Sequence, residues 1–589
     1  MINKRRNGPG VATILDTSRF YRALSTPAMV LLTFLFLIPL SIILSKAFVD
    51  DAGGFSLARL RLMLTDAYTW RILRFTLLQA LASTVVSVLI GLPGAYLLAT
   101  YRFPGKSIIR AICTLPFVLP SILVVLGFVI FYGNNGLVNS LLMSMFDLEQ
   151  PPLRILYTFG AIIIAHAFYN FPIALGLISS FWEQLPSRYN HAAMTMGARR
   201  WTVFRTVTLP RLVPAILSAS TLIFLFCFSS FAILLVLGGG PRFTTLEVEI
   251  YRRARMTLDL EGAAALSLLS IAVTLVLVAA HLWTQRMMAH QEEIEPISER
   301  RLERSPRSIW GKSIAFLYVV FSVVFVLGPL AGIVYRSFLA PVSRSGDLAF
   351  STRWYRQLFG LETVAGSPLG VAASAILLSL TIAAITAFVS LVIGTMLAAR
   401  LRKTRRRSNI SMELYAMLPM AVSSVVVGLG YYLVSSVFTG RRSLGVVLVV
   451  LAHVVIASPF VLRSILPEYR KIPFSYTQAS LTLGATVSQT FWRVELPLLR
   501  SAMATGAAFA FAISMGEINA TLVLADSSII TVPIVMYRLI GSYNFAGACA
   551  LGTILIACCA IVFALTESMK RSRHVRFGTC LFQYPRRIS

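Results

Sequence analysis

A chain of 589 residues that is 57% hydrophobic and 13% charged, with a mean hydropathy of +0.77, is not a soluble globular protein. Its net charge of +29 would suggest nucleic acid in a soluble chain. Here about two thirds of the Lys and Arg residues fall in alternate segments between apolar runs, which is the positive-inside pattern of a membrane protein. Both termini are therefore expected in the cytosol, the basic clusters beside the anionic lipid of the bilayer, and no nucleic-acid partner is expected. The six cysteines have neither Cys-x-x-Cys spacing nor extracellular pairing, and read as small packing residues.

Apolar runs of about 20 residues, enough to cross a ~30 Å hydrocarbon layer, recur along the whole chain. About twelve are read, at 28–48, 75–99, 109–132, 155–180, 213–237, 263–284, 314–337, 371–399, 412–437, 444–466, 502–524 and 547–567. The first follows Lys4, Arg5 and Arg6, but its core exceeds the roughly 7–15 residues of a secretory leader, so a retained span is expected. The charged stretch 286–313 reads as a linker between a first unit (1–285) and a second (314–589). The predicted fold is an all-α polytopic membrane protein.

Between the fourth and fifth runs lies a polar segment, about 181–212, holding His191, Ala192, Ala193, Gly197, Trp201, Phe204 and then Leu209-Pro210. Small residues at 192 and 193 permit close approach to another surface. Gly197 permits a sharp reversal between two short helices. Pro210 suits the start of a helix, and Trp201 and Phe204 offer an apolar side for a partner.

The same punctuation returns at about 468–499. The chain from Ala165-His166 to Leu212 aligns without gaps to the chain from Ala452-His453 to Leu499, pairing Pro172 with Pro459, Tyr189 with Tyr476 and Gly197 with Gly484. Leu209-Pro210 pairs with Leu496-Pro497. Upstream, with a different offset, Gly91 pairs with Gly394 and Leu126-Gly127 with Leu429-Gly430. Six spans per unit return each half to the side from which it entered. The repeats are therefore expected to be parallel, related by an axis along the membrane normal.

The spacing Ala-Ala-x3-Gly-x9-Val-x-Leu-Pro resembles the EAA loop of ATP-binding-cassette importer permeases of the type I, MetI-like family. The resemblance implies two six-helix permease repeats, with each loop forming a coupling helix seated on a cytosolic ATPase. It carries to His191, Ala192, Ala193, Gly197, Trp201, Leu209 and Pro210, and to Gln478, Ala479, Gly484, Leu496 and Pro497. His191 and Gln478 stand where the motif has Glu, and Ser480 replaces the second Ala. No Gly-x4-Gly-Lys-Ser/Thr phosphate loop occurs, so the chain is not expected to be an enzyme. The implied partners are two copies of the ATPase, carrying ATP and Mg2+, and an extracytoplasmic solute-binding protein. The implied location is the bacterial cytoplasmic (inner) membrane. No cofactor or metal is expected on this chain.

Glu517, with Asn519, is read inside the eleventh span, and an acid there costs at least ~2.5 kcal/mol unless it faces a cavity or a partner. Its repeat counterpart is Ser230. A helix-packing or gating role and contact with a cationic solute are both open for this substrate-path set. His166 and His453, equivalent by repeat, read as interhelical hydrogen-bonding residues or, less simply, as metal ligands. The segments from Thr245 through Glu247 to Tyr251 and from Thr531 to Tyr537 alternate in character and suit a short element at an outer mouth. Glu247 and Glu249 would make it locally acidic, but Arg252, Arg253 and Arg255 follow at once, which leaves its net charge open.

Two related groups within the family use fused repeats: thiamine or thiamine pyrophosphate permeases and ferric-iron permeases. Tyr68-Thr-Trp70, Arg102-Phe-Pro-Gly105, Cys227-Phe-Ser-Ser-Phe231 and Ile540-Gly-Ser-Tyr543 resemble the thiamine group more closely. An ion-coupled secondary transporter is the rival of another class; it requires more intramembrane acids than Glu517 alone.

Overall fold

In hydrocarbon every backbone N–H and C=O must find its partner within the chain, so each long apolar run becomes a helix. The computed structural model describes residues 9–49, 54–103, 106, 109–110, 119–186, 188–238, 240–294, 309–341, 348–362, 368–402, 407–437, 444–526 and 529–580. Among these, eleven helices are long and apolar enough to cross a membrane, and a bent pair makes a twelfth. Spans 1–6 are Arg19–Phe48, Ala67–Thr100, Ser121–Phe146, Phe159–Gln184, Arg200–Phe228 and Leu260–Met288. Spans 7 and 8 are Gly311–Ser337 and Leu369–Leu401, and spans 10–12 are Gly445–Lys471, Val487–Gly516 and Phe545–Thr566. Span 9 is the bent pair, Ser411–Ala421 and Ser424–Ser436, with an 85° turn between them. The fold is thus all-α and polytopic, with one small antiparallel ribbon after span 7, where Leu339–Pro341 pairs with Leu348–Phe350.

Several boundaries differ from the sequence reading. Span 3 was expected at 109–132, but the described helix begins at Ser121, turns at 133–136 and resumes as Leu137–Phe146. Residues 111–118 lie outside the described residues. The helix of span 6 runs on to Ile294, well into the expected linker, because no Gly or Pro interrupts 286–294. Half of that linker, 295–308, lies outside the described residues. The apolar runs 213–237 and 502–524 are not continuous helices. Span 5 stops at Phe228 and resumes as Ala232–Leu237, and span 11 stops at Gly516 and resumes as Asn519–Leu524.

The halves interlock. Span 1 packs on spans 8 and 9, in the second half, and span 7 packs on span 3, in the first. Two repeat-equivalent glycines make this exchange possible. A Cβ on Gly430 would stand 2.7 Å from Cβ of Pro39 in span 1, and one on Gly127 would stand 3.0 Å from Cβ of Pro329 in span 7. Tyr431 Oη also donates to the Leu35 carbonyl at 2.8 Å. Within each half a second glycine pair does the same for spans 2 and 4. Gly91 sits against Ala174 and Gly394 against Val461.

Gly430→Val forces side-chain atoms into the Pro39 backbone, an overpacking cost of at least about 1–3 kcal/mol. Gly430→Val and Gly127→Val should lower the yield of monodisperse detergent-solubilised protein sharply. Gly176→Val, with nothing within 4 Å of its Cβ position, should not.

Candidate functional site: the paired hairpins and the cavity between the halves

The two polar segments fold alike. In the first, the helix Arg188–Thr195 closes in a left-handed cap at Gly197, φ +88°. The Gly197 N–H reaches the Met194 carbonyl and the Ala198 N–H that of Ala193, a pairing that consumes the loose carbonyls of a helix end. In the second, the helix Phe474–Thr482 ends at Gly484, φ +88°, with Gly484 N–H on Leu481 and Ala485 N–H on Ser480. Nothing lies within 4 Å of either glycine's Cβ position, so backbone conformation alone selects glycine. A second short helix follows each turn, Arg200–Val203 and Val487–Thr490, and then a π-helical turn, Phe204–Thr208 and Phe491–Glu495. Leu209-Pro210 and Leu496-Pro497 open the following spans.

The hairpins show apolar side chains to their surroundings. Met196 is 82% exposed, Trp201 70% and Leu483 88%, and Trp492, Phe474 and Tyr476 are more than half exposed. His191, Ala192, Gln478 and Ala479 share this outer side, whereas Ala193 is buried. Apolar surface clustered this way is characteristic of a docking face. Each hairpin is braced beneath by an ion pair. Arg110 meets Glu183 in the first half, and Arg470 meets Glu413 at 2.7 Å in the second. The positions are repeat-equivalent and their charges are exchanged.

A cavity of about 250 Å3 lies where the halves meet. Its wall includes Ser229 and Ser230 from the break in span 5, Gly516, Glu517 and Asn519 from the break in span 11, and Ser423 and Ser424 from the bend of span 9. Irregular backbone at membrane depth persists where protein or a cavity covers it. Glu517 therefore lies in an extended break and not inside a helix. Its Oε1 accepts the Ala520 N–H at 3.0 Å, and Asn519 Nδ2 donates to Ser424 Oγ at 2.8 Å. Tyr169, Phe226, Phe460 and Phe509 supply aromatic wall. Of the two histidines, His453 bonds Ser514 and Thr521 through its two ring nitrogens, while Nδ1 of His166 meets Ser83 at 3.1 Å.

The mouth segments are short α-helices, Leu246–Arg255 and Val532–Gly541. Both begin in the same way: Thr76 Oγ1 accepts the Leu246 N–H, and Ser379 Oγ accepts the Val532 N–H. Thr245, Glu247, Tyr251 and Thr531 are buried, and Tyr537 is partly so. Both acids of the first segment are buried, and Glu249 is paired with Arg252 and Arg253. Glu249 accepts from Arg252 and Arg253 and from Tyr68 Oη; burial raises its carboxyl, but the two guanidinium groups outweigh this and hold it below the usual range. Glu247 accepts from Ser270 Oγ at 2.8 Å and from Ser423 Oγ, directly behind the cavity wall.

Sequence reasoning passed over Glu495. It is buried at the end of the second π-helical turn and paired with Arg402 at 2.8 Å. The signal in the chain was that Glu495 stands where Thr208 does, between a matching Val and a matching Leu-Pro step.

Interlocked halves of six spans, twin hairpins with exposed apolar side chains and a cavity where the halves meet are the architecture of a membrane permease. The profile of the family described as binding-protein-dependent transport system inner membrane component matches residues 87–290 and again 390–574. The chain belongs to that family, the inner-membrane, multi-pass permease component of ATP-binding-cassette importers. It is 28% identical over 536 residues to the thiamine transport system permease protein ThiP of Brucella suis, covering 91% of this chain and 93% of that protein. With ThiP of Escherichia coli it shares 28% over 509 residues, 86% and 90% of the two chains. The sulfate transport system permease protein CysT of Escherichia coli is 28% identical over 278 residues, which is 47% of this chain but 93% of CysT.

Burial of Glu247 pushes its carboxyl up from 4.5 to about 7, against the opposing bonds from Ser423 and Ser270. A raised carboxyl keeps its proton in the folded protein, so its stabilising contribution is complete below pH 4.5 and is lost as pH rises through about 7. The thermal midpoint of the purified permease should fall across that window, and Glu247→Gln should flatten this part of the profile.

Proposed function

We propose that this chain is the permease of a thiamine or thiamine pyrophosphate importer, moving its solute by alternating access between the two halves. The observation that carries the reading is similarity to ThiP proteins across both repeats and nine tenths of the chain. The cavity supports it: a single carboxylate, Glu517, stands among aromatic rings, a chemistry suited to a flat aromatic cation. A ferric ion is served better by several oxygen donors in one place. Among the described residues no cluster of three His, Cys, Asp or Glu side chains offers them.

In this reading two copies of a cytosolic ATPase, loaded with ATP and Mg2+, grip the hairpins around Gly197 and Gly484. A solute-binding protein delivers to the opposite face, where the helices that follow Thr245 and Thr531 border the path. Both termini are cytosolic. Closure of the ATPase dimer moves the hairpins, the π-helical turns pass that motion to spans 5 and 11, and their breaks at Ser230 and Glu517 re-aim the cavity.

Uptake of labelled thiamine into proteoliposomes holding permease and ATPase, with the binding protein added outside, tests the solute. Saturable, ATP-dependent thiamine uptake supports the reading. Uptake of ferric iron in its place, or uptake that survives ATP removal and collapses with the proton gradient, overturns it. Glu517→Gln should raise the KM for thiamine about tenfold, the scale of a lost charged hydrogen bond, with little change in ATPase docking. The double variant Gly197→Val, Gly484→Val strains two left-handed positions by at least about 1–2 kcal/mol each. It should hydrolyse ATP without uptake, whereas full uptake with intact docking would sink the coupling assignment.

A further inference from the structure

Around the two hairpins the repeat is obeyed almost everywhere. The glycine caps, the π-helical turns, the Leu-Pro entries and the brace between the end of span 4 or 10 and the start of span 3 or 9 all recur. One site breaks the pattern. Glu495, its side chain 1% exposed, accepts from four donors that come from four different elements. Tyr21 Oη of span 1 reaches Oε2 at 2.6 Å, and Tyr469 Oη of span 10 reaches the same oxygen. Thr477 Oγ1, on the first helix of the second hairpin, and Arg402 Nη1, just past the end of span 8, each reach Oε1 at 2.8 Å. Arg402 continues the chain of contacts, lying over the Tyr469 ring at 4.8 Å and donating to the Ile472 carbonyl at 3.0 Å. Phe20 and Tyr21 also pack against Phe491 of the π-helical turn.

The first hairpin has none of this set. Thr208 stands where Glu495 does, Asn190 where Thr477 does, and Trp182 where Tyr469 does. By the Gly91–Gly394 register, Ala99 takes the place of Arg402. Among the described residues the corresponding contacts are neutral: Thr208 Oγ1 meets Asn190 Oδ1 at 3.3 Å, and Trp182 stacks on Phe204 of the π-helical turn. Only a carboxylate satisfies the second site: four donors need four lone pairs and no hydrogens, and a glutamine would turn an NH2 group against them.

We infer that the two hairpins act unequally, and that Glu495 is the positioning residue that makes the second one the principal lever by tying it to spans 1, 8 and 10 as a single body. This rests on the reading that an ATPase drives the hairpins. Span 1 belongs to the first half by sequence but packs on the second, so motion of the second hairpin reaches both halves at once. The first hairpin reaches spans 4 and 2 of its own half through neutral ring contacts, Phe204 on Trp182 and Trp182 on Tyr96. A buried, fully paired charge keeps its geometry because breaking it strands the partner charge.

The test uses the full permease–ATPase complex in proteoliposomes. Hydrogen exchange at the hairpins and along 19–28 of span 1 is compared with and without ATP and vanadate, alongside thiamine taken up per ATP hydrolysed. In the unaltered protein, nucleotide should alter exchange in both hairpins and in span 1. Glu495→Gln should abolish the span 1 response and lower uptake per ATP about tenfold, while hydrolysis persists. Tyr21→Phe, which keeps the ring and the Arg402–Glu495 pair, should remove the span 1 response even if Glu495→Gln folds poorly. Thr208→Ala, the counterpart in the first hairpin, should leave both readouts within about twofold. Equal effects at 208 and 495, or a span 1 that ignores nucleotide in the unaltered protein, overturn the inference. Loss of ATPase association with the unaltered permease overturns it together with the importer reading, whereas failure of thiamine uptake alone leaves the exchange comparison decisive.

Discussion

A bilayer offers no hydrogen bonds, and that constraint organises the molecule. Every span must satisfy its own backbone, so a break in a helix is tolerable only where another part of the protein covers it. Spans 5, 9 and 11 are all interrupted, and the three interruptions converge on one cavity between the halves. Ser423 and Glu517 at these breaks accept the backbone N–H groups of Val426 and Ala520. The site follows from the places where the helices stop, and the helices can stop there because two halves face each other.

The exchange of spans 1 and 7 has a related origin. Helices in lipid gain little from apolar burial against one another, so close backbone approach at small residues decides which pairs persist. Gly127 and Gly430 give span 7 and span 1 a flat surface in the opposite half, with Pro329 and Pro39 fitted onto it. The result is a covalent pseudo-dimer whose halves cannot be separated without unpacking both first spans. Symmetry then becomes informative through its exceptions. Glu183 and Arg470 exchange charge but keep the brace, whereas Glu247, Glu495 and Glu517 have no acidic counterpart at all: Pro533, Thr208 and Ser230 stand in their places. These three acids sit behind the mouth helix, at a hairpin and on the cavity wall.

Much of this was legible in the chain. Runs of about 20 apolar residues mark spans because length and hydropathy are local properties. The hairpins were legible because Gly197 and Gly484 recur at matching positions, and the structure gives both the same left-handed backbone. The breaks after Phe228 and Gly516 were not, since the apolar composition continues through them and only a neighbouring half makes them affordable. The mouth segments read as alternating because Glu247 and Glu249 interleave with apolar residues. Those acids turned inward, to two serines in one case and two arginines in the other, and the helix formed around them.

The sequence by itself determined that this is an all-α membrane protein of two fused permease repeats with paired hairpins, because hydropathy and internal repetition are written along one dimension. Tertiary structure alone decided that first spans cross to the opposite half, that Glu517 lies in an open break and that Glu495 joins four elements. Those outcomes depend on which surfaces meet in space. Residues as distant as Tyr21 and Glu495 share no local signal in the chain, yet one hydrogen bond of 2.6 Å joins them once the halves have closed.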